Sequence, residues 1–302
     1  LKSATCKVPC QDFLPLFDPL SKRFWFDKLA VQRIADKSGV LNRMLELTQS
    51  DWEESFYQFV ARSFGFGVNN EAFEMLAKSL PQRILAKHRN SLLQIEALLF
   101  GQAGFLEEPL PHDAYYSSLQ TEYAFLRTKF DLSPVAHIHW TFMRLRPVNF
   151  PTVRIAQFAS LIYKSVHLFS RIIAETDLKQ LTQLFDCEVS EYWLTHYTFK
   201  EESAKRSKHL GKQSAELLVV NAVCPLLYLH GKLQGPDELL PRALEWLEAL
   251  PAERNSILNT WASLGLCAKN SFESQALIEL YKNYCLKNKC LFCAVGNKFI
   301  RN

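Results

Sequence analysis

Three cysteines near the end of the chain, Cys285, Cys290 and Cys293, follow one another as C-x4-C-x2-C just after a predicted helix. Thiolates carried on a turn converge easily on one metal, and three at this spacing ask for a fourth. Tetrahedral zinc takes four nitrogen or sulfur donors, and iron–sulfur clusters take four thiolates, C-x4-C-x2-C with a distant fourth cysteine being one known spacing. Cys10 is the favoured fourth ligand and Cys6 the other candidate. Residues 281–302 carry Lys282, Lys287, Lys289, Lys298 and Arg301 with no acid, a setting that favours thiolates. The expectation is a zinc ion or a 4Fe–4S cluster held by Cys10, Cys285, Cys290 and Cys293. Against it stands the plainer reading of three ordinary thiols on a tail docked by Leu291, Phe292 and Phe299.

A second chemistry is offered by Arg144, Arg146 and Arg154 around Asn149-Phe-Pro-Thr152. Thr152 or Asn149 is placed to cap a helix, with Pro151 in its first turn. Free amides and the helix dipole attract anions there, and guanidinium groups fork phosphate or carboxylate. Arg146 and Arg154 are the preferred anion contacts, Arg144 flanking them. The alternative pairs these arginines with internal carboxylates such as Glu96 or Glu122. Lys200, Lys205, Arg206, Lys208, His209 and Lys212 follow the rings of Tyr192, Trp193, His196, Tyr197 and Phe199. Basic charge beside rings suits a single-strand platform, and equally a solvated loop beside a packed aromatic cluster; Glu201 and Glu202 dilute the charge.

His137 and His139 would share a face if extended, but lack a third ligand and read as capped or surface histidines. No Gly-x-Ser-x-Gly, His-Glu-x-x-His or Walker loop occurs, and Gly211-Lys-Gln-Ser214 reads as a helix start. No catalytic residue is assigned. Asn221, in an apolar helix, is expected to satisfy the carbonyl loosened by Pro225 or to meet a ligand.

The elements that position these groups are helices. Ser50-Asp-Trp-Glu53 is a capping box, with Trp52, Phe56, Phe59 and Val60 following at helical spacing, so a helix runs over 50–62. Others are expected over 28–46, 70–79, 82–100 and 113–128, with stops at Gly101–Gly104 and at Pro109 and Pro111. Residues 151–184 carry one apolar stripe, Ile155 to Ile173, and predict a single long amphipathic helix. Helices over 211–229, 237–249, 254–266 and 271–285 follow, separated by Gly235-Pro236 and Pro251. No alternating run predicts a strand. The fold class is all-α, a compact multi-helix bundle of one domain or of two subdomains, 1–130 and 131–302, meeting near 130–150.

Composition agrees with this. Of 302 residues, 48% are hydrophobic and 22% charged, with only ten glycines, as a helix-rich core requires. A net charge of +4 excludes a uniformly nucleic-acid-coating protein and directs attention to local patches. Eight cysteines scattered singly through a large chain point to a reducing, cytoplasmic setting. The longest apolar stretch, Leu217 to Leu229, is 13 residues and falls short of the roughly 20 needed to cross a bilayer, so no membrane is expected. The chain opens at Leu1 without a methionine or signal-peptide pattern, as expected of a segment starting inside a longer protein.

Three motifs, Ile95-Glu-Ala-Leu-Leu-Phe-Gly-Gln-Ala-Gly104, Arg144-Leu-Arg-Pro-Val-Asn-Phe-Pro-Thr-Val-Arg-Ile-Ala-Gln157, and the ending from Ser274 through Cys293-Ala-Val-Gly296, resemble an uncharacterised bacterial family, domain of unknown function 2851. The resemblance covers most of the chain and carries no established activity. It implies a preceding N-terminal domain similar to PD-(D/E)XK nucleases, with this chain as the helical remainder. The cysteine layout is also similar to that of RecB-type nucleases that clamp an upstream cysteine to a downstream trio with a 4Fe–4S cluster. The function expected is a nucleic-acid-associated accessory domain; the alternative is a structural or protein-interaction module without ligand.

Overall fold

The structure, a computed structural model, describes residues 8–110, 113–135, 137–165, 167–235 and 237–300. Cys6 and Arg301, Val166 of the long stripe and the loop residues Pro111 and Pro236 lie outside the described residues. The fold is all-α: among the described residues there is no strand, and two isolated bridges join His196 to Glu202 and Pro251 to Asn270.

The chain divides into two compact units, Leu1–Val40 with Val223–Asn302, and Leu41–Ala222. The expected seam at 130/131 falls inside the second of these, because the Leu92–Gln102 helix packs on both Ala114–Phe130 and Pro151–Lys164. Gly101 makes the first of those contacts close: a Cβ there would lie 2.3 Å from the Tyr123 ring. Phe158 centres the core of this unit, with Tyr57 at 5.8 Å, Phe64 at 5.1 Å and Phe73 at 6.4 Å between ring centroids.

Helix ends follow local chemistry. The first helix after the opening segment runs Pro19–Leu47, longer at its start than the apolar pattern indicates. The next spans Trp52–Phe64 and is capped by Asp51, whose carboxylate accepts from the Glu54 amide at 3.0 Å. This corrects the Ser50 box: Ser50 has φ 67°, in the left-handed reversal that precedes the helix. The 82–100 helix is two, Gln82–Lys87 and Leu92–Gln102, because Ser91 caps a new start by accepting from Gln94 N. The long amphipathic helix is three, Pro151–Lys164, Leu168–Ala174 and Leu178–Leu184. Ser165 is extended, His167 has φ 54°, and Asp177 accepts from the amides of Lys179 and Gln180, so each break is a real helix end despite the continuous apolar stripe.

Residues Lys212–Gln234 form one helical run with a π segment at Val219–Val223, ahead of Pro225. At 23 residues the run is long and apolar enough by those measures to cross a bilayer, unlike its 13-residue apolar centre, and 61% of its most apolar window is buried. Asn221 donates to Leu217 O at 2.8 Å, one turn back, and not to the carbonyl loosened by Pro225, whose missing N–H would have met the residue 221 carbonyl. In the first unit, Leu239–Ala249, Ser256–Ser263 and Ser271–Glu279 pack together, the last continuing as a π segment, Leu280–Cys285. Asn255 and Asn270 cap two of these helices through their side-chain oxygens.

Candidate functional site

Within the first unit, the opening and closing segments of the described chain pack on each other. The turn Gln11–Leu16, begun by Cys10, lies against the short helix Ala294–Ile300, begun by Cys293. Phe13 stacks on Phe299 at 5.0 Å, and Lys298 pairs with Asp18 at 2.9 Å. Cys10, Cys285 and Cys293 are buried and Cys290 is half-buried. Burial pushes the Cys285 thiol up, and the neighbouring thiols of Cys10, Cys293 and Cys290 push it further, so all four sulfurs belong to one electrostatic neighbourhood. Cys293 is also raised by burial, opposed by the neighbouring amides of Gly296 and Val295. Among the described residues, no three His, Cys, Asp or Glu side chains are posed to hold a metal ion. The four thiols are therefore neighbours, not a finished ligand set. Of the three apolar residues assigned to docking the tail, only Phe299 stacks inward; Leu291 and Phe292 are 56% and 77% exposed.

Cys187 and Cys224 are lone buried thiols, both pushed up to about 12 chiefly by burial, and Cys267 is exposed.

The second unit gathers the basic residues. Arg144, with φ 62°, and Arg146 are exposed. Arg154 is 7% exposed and sits inside the start of the Pro151–Lys164 helix. Its guanidinium donates to Gln157 Oε1 at 2.9 Å, Asn149 Oδ1 at 2.7 Å and Ser214 Oγ at 3.5 Å, and lies 4.1 Å over the Phe66 ring. Its Nε is buried without a partner. Burial lowers this guanidinium to about 10, and no carboxylate among the described residues offsets the effect. The expected internal acids are occupied elsewhere: Glu96 accepts from Tyr115 and Ser190, and Glu122 from Gln94. Neither Thr152 nor Asn149 caps the helix; Phe150 stands at that position, Thr152 donates instead to Tyr197 O, and Asn149 accepts from Arg154.

These bonds lace two distant basic segments together. Besides Thr152 to Tyr197 and Arg154 to Ser214, Gln157 donates to Lys208 O at 2.8 Å. Lys208 is itself buried, its ammonium bonding the carbonyls of Trp193, Leu194 and His196 at 2.6, 3.1 and 2.9 Å. Lys200, Lys205, Arg206, His209 and Lys212 remain exposed, as do Glu201 and Glu202. The preceding rings are largely packed: Trp193 is fully buried and stacks on Phe100 at 5.0 Å, while Tyr192 stacks between Tyr115 at 4.2 Å and His196 at 3.9 Å. A groove of about 450 Å³ opens beside them, lined by Phe105, Phe142, Phe199, Thr152 and Lys200, with Glu107 and Glu108 also on its wall. His137 and His139 are exposed, with no third ligand set among the described residues.

Glu96, offered by the sequence only as an arginine partner, has a different setting. Glu96 lies on the Leu92–Gln102 helix, 1% exposed, its two oxygens accepting from Tyr115 and Ser190 at 2.8 Å each. Burial pushes its carboxyl up to about 7 against those hydrogen bonds. A lone Glu in the apolar run Ile95–Phe100 was the available signal.

No curated protein and no solved structure matches the chain. A family model described as "Protein of unknown function (DUF2851)" matches residues 1–256, which take in the arginine-bearing helix start, the laced basic segments and Glu96, and the chain belongs to that family.

Proposed function

We propose that the second unit binds single-stranded nucleic acid, as an accessory body of the longer nuclease-like protein implied by the sequence resemblance. One observation carries this reading: the bonds from Thr152, Arg154 and Gln157 hold the Arg144–Arg146 loop and the Lys200–Lys212 loop beside one another, with their cationic ends outside. Exposed Arg144, Arg146, Lys205 and Arg206 meet phosphates, and the groove edged by Phe105 and Phe142 offers ring surface to a base. Arg154, being buried, acts as a positioning residue whose charge adds to the local potential without touching the strand. With no carboxylate partner among the described residues, that potential stays positive.

Fluorescence anisotropy with a labelled single-stranded oligonucleotide, over a salt series, tests the reading. Each lost phosphate contact reduces the log–log salt slope by about 0.7 for a single strand. The Arg144→Ala, Arg146→Ala double variant is therefore expected to bind more weakly with a slope smaller by about 1.4. Binding that ignores both salt and this variant, or no binding at low salt, overturns the proposal and leaves the protein-interaction module as the better reading.

A further inference from the structure

The closing turn of the first unit is folded in a way that hydrophobic burial does not explain. Between Cys290 and Cys293 the chain makes a single 3-10 turn, Cys290–Phe292, and presents Leu291 and Phe292 to solvent while Cys293 is 4% exposed. A segment ordered by apolar collapse would do the reverse. The turn is nevertheless tightly specified. Asn288 takes φ 50°, Lys289 N donates to Tyr284 O at 2.9 Å, and Cys293 N donates to Cys290 O at 3.2 Å. Gly296 lets the final helix press on the Cys290 peptide, because a Cβ there would lie 2.3 Å from Cys290 O.

The sulfurs of Cys10, Cys285 and Cys293 are held as buried thiols, and Cys293 has N–H groups beside it. The amides of Val295 and Gly296 and the buried indole N–H of Trp25 lie beside Cys293 and oppose the effect of its burial. N–H groups aimed at sulfur stabilise a negative ligand and tune the metal it holds. Cys10 reaches the same place through the turn that Phe13 and Asp18 fasten to the final helix.

We propose that Cys10, Cys285, Cys290 and Cys293 form a tetrathiolate site for a thiophilic metal centre, either a zinc ion or an iron–sulfur cluster. Binding requires the four thiols to turn toward a common point on a backbone that already brings them together, each giving its proton to solvent as it coordinates. The centre clasps the first and last described segments of the unit and supplies the order that the outward-facing Leu291 and Phe292 do not. This site is independent of the basic seam proposed to bind nucleic acid, so either proposal can fail without the other.

The test uses the whole chain prepared without oxygen. Iron, zinc and acid-labile sulfide are measured on the protein as isolated, and cobalt(II) is titrated into metal-free, reduced protein as a spectroscopic probe. The expected results are one equivalent of zinc without sulfide, or iron with sulfide and visible absorption, and in the cobalt titration a thiolate-to-metal charge-transfer band that saturates at one equivalent. Cys290→Ser, at the half-buried and least disruptive position, is expected to weaken cobalt binding at least tenfold. Cys267→Ser, an exposed thiol outside the quartet, is expected to bind as the parent does. Trp25→Phe supplies a second variant with all four thiols intact, and it should shift the charge-transfer band without removing it. Failure of the parent to bind cobalt with thiolate absorption, coupled with no bound zinc or cluster, overturns the proposal. So does a Cys290→Ser protein that binds like the parent.

Discussion

Glu96→Gln isolates what a buried carboxyl does to this protein. The folded chain holds the Glu96 proton up to about pH 7, whereas the ordinary value is 4.5. Between those values the folded state carries one proton more than the unfolded chain, so stability falls as pH rises through the window. It is flat below about 4.5 and has lost its full share above about 7. At 1.36 kcal/mol for each pKa unit, the difference corresponds to roughly 3 kcal/mol. Glutamine keeps the shape and cannot ionise. Urea unfolding of parent and variant from pH 4 to 8, followed by tryptophan fluorescence and far-ultraviolet circular dichroism, gives the comparison. Trp193 is a suitable local reporter, since its indole donates to the same Tyr115 hydroxyl that donates to Glu96. At pH 4 the two proteins should lie within about 1 kcal/mol of each other, the worth of one rearranged hydrogen bond. By pH 8 the variant should have gained roughly 3 kcal/mol on the parent. A difference that stays constant across this range, or grows toward acid, refutes the assignment of a neutral buried carboxyl.

Asp51→Ala removes the cap of the Trp52–Phe64 helix and should cost about 1 kcal/mol by urea unfolding, while Ser50→Ala costs a few tenths at most; the reverse order would restore the serine cap. Gly101→Ala should destabilise by about 1–3 kcal/mol despite alanine's better helix propensity, because the new methyl meets the Tyr123 ring, itself fixed by its hydrogen bond to Gln102; a higher melting temperature would contradict this. Arg154→Met leaves the oxygens of Asn149 and Gln157 without this donor and should cost about 2–4 kcal/mol, with nucleic-acid affinity falling through disorder of the loops and with the salt slope largely kept. Thermal melts and the anisotropy assay, run on the same preparation, check both halves of that expectation.

Helix content was legible because apolar spacing and capping residues are local signals, and Asn70–Ser79 falls where the pattern puts it. Breaks inside an apolar stripe were not, since His167 and Asp177 end and begin helices through backbone conformation while Ile155, Phe158 and Ile172 still face a core. The arginine cluster was visible as a cluster, but which member would be swallowed depended on Phe66, Gln157 and Ser214, which lie far apart in sequence or carry no charge to mark them. Glu96 was legible as an internal carboxylate but not with its actual partners: its donors, Tyr115 and Ser190, come from other elements, and only tertiary structure brings their hydroxyls to it in place of an arginine.

The π segment Leu280–Cys285 amounts to a residue slipped into a helix that would otherwise continue from Ser271 in ordinary phase. Each residue of an α-helix turns the next by about 100°. Recasting that segment as regular α-helix at unchanged length would swing Cys285 by about that angle around the axis, out of its burial and away from the other three sulfurs, whereas deleting one residue as the bulge closes would keep it in phase. The spacing of the cysteines in the sequence is thus tied to the helical defect that ends at Cys285, and a change that removes the bulge without a compensating change in length acts on the sulfurs as surely as a change of the cysteines themselves.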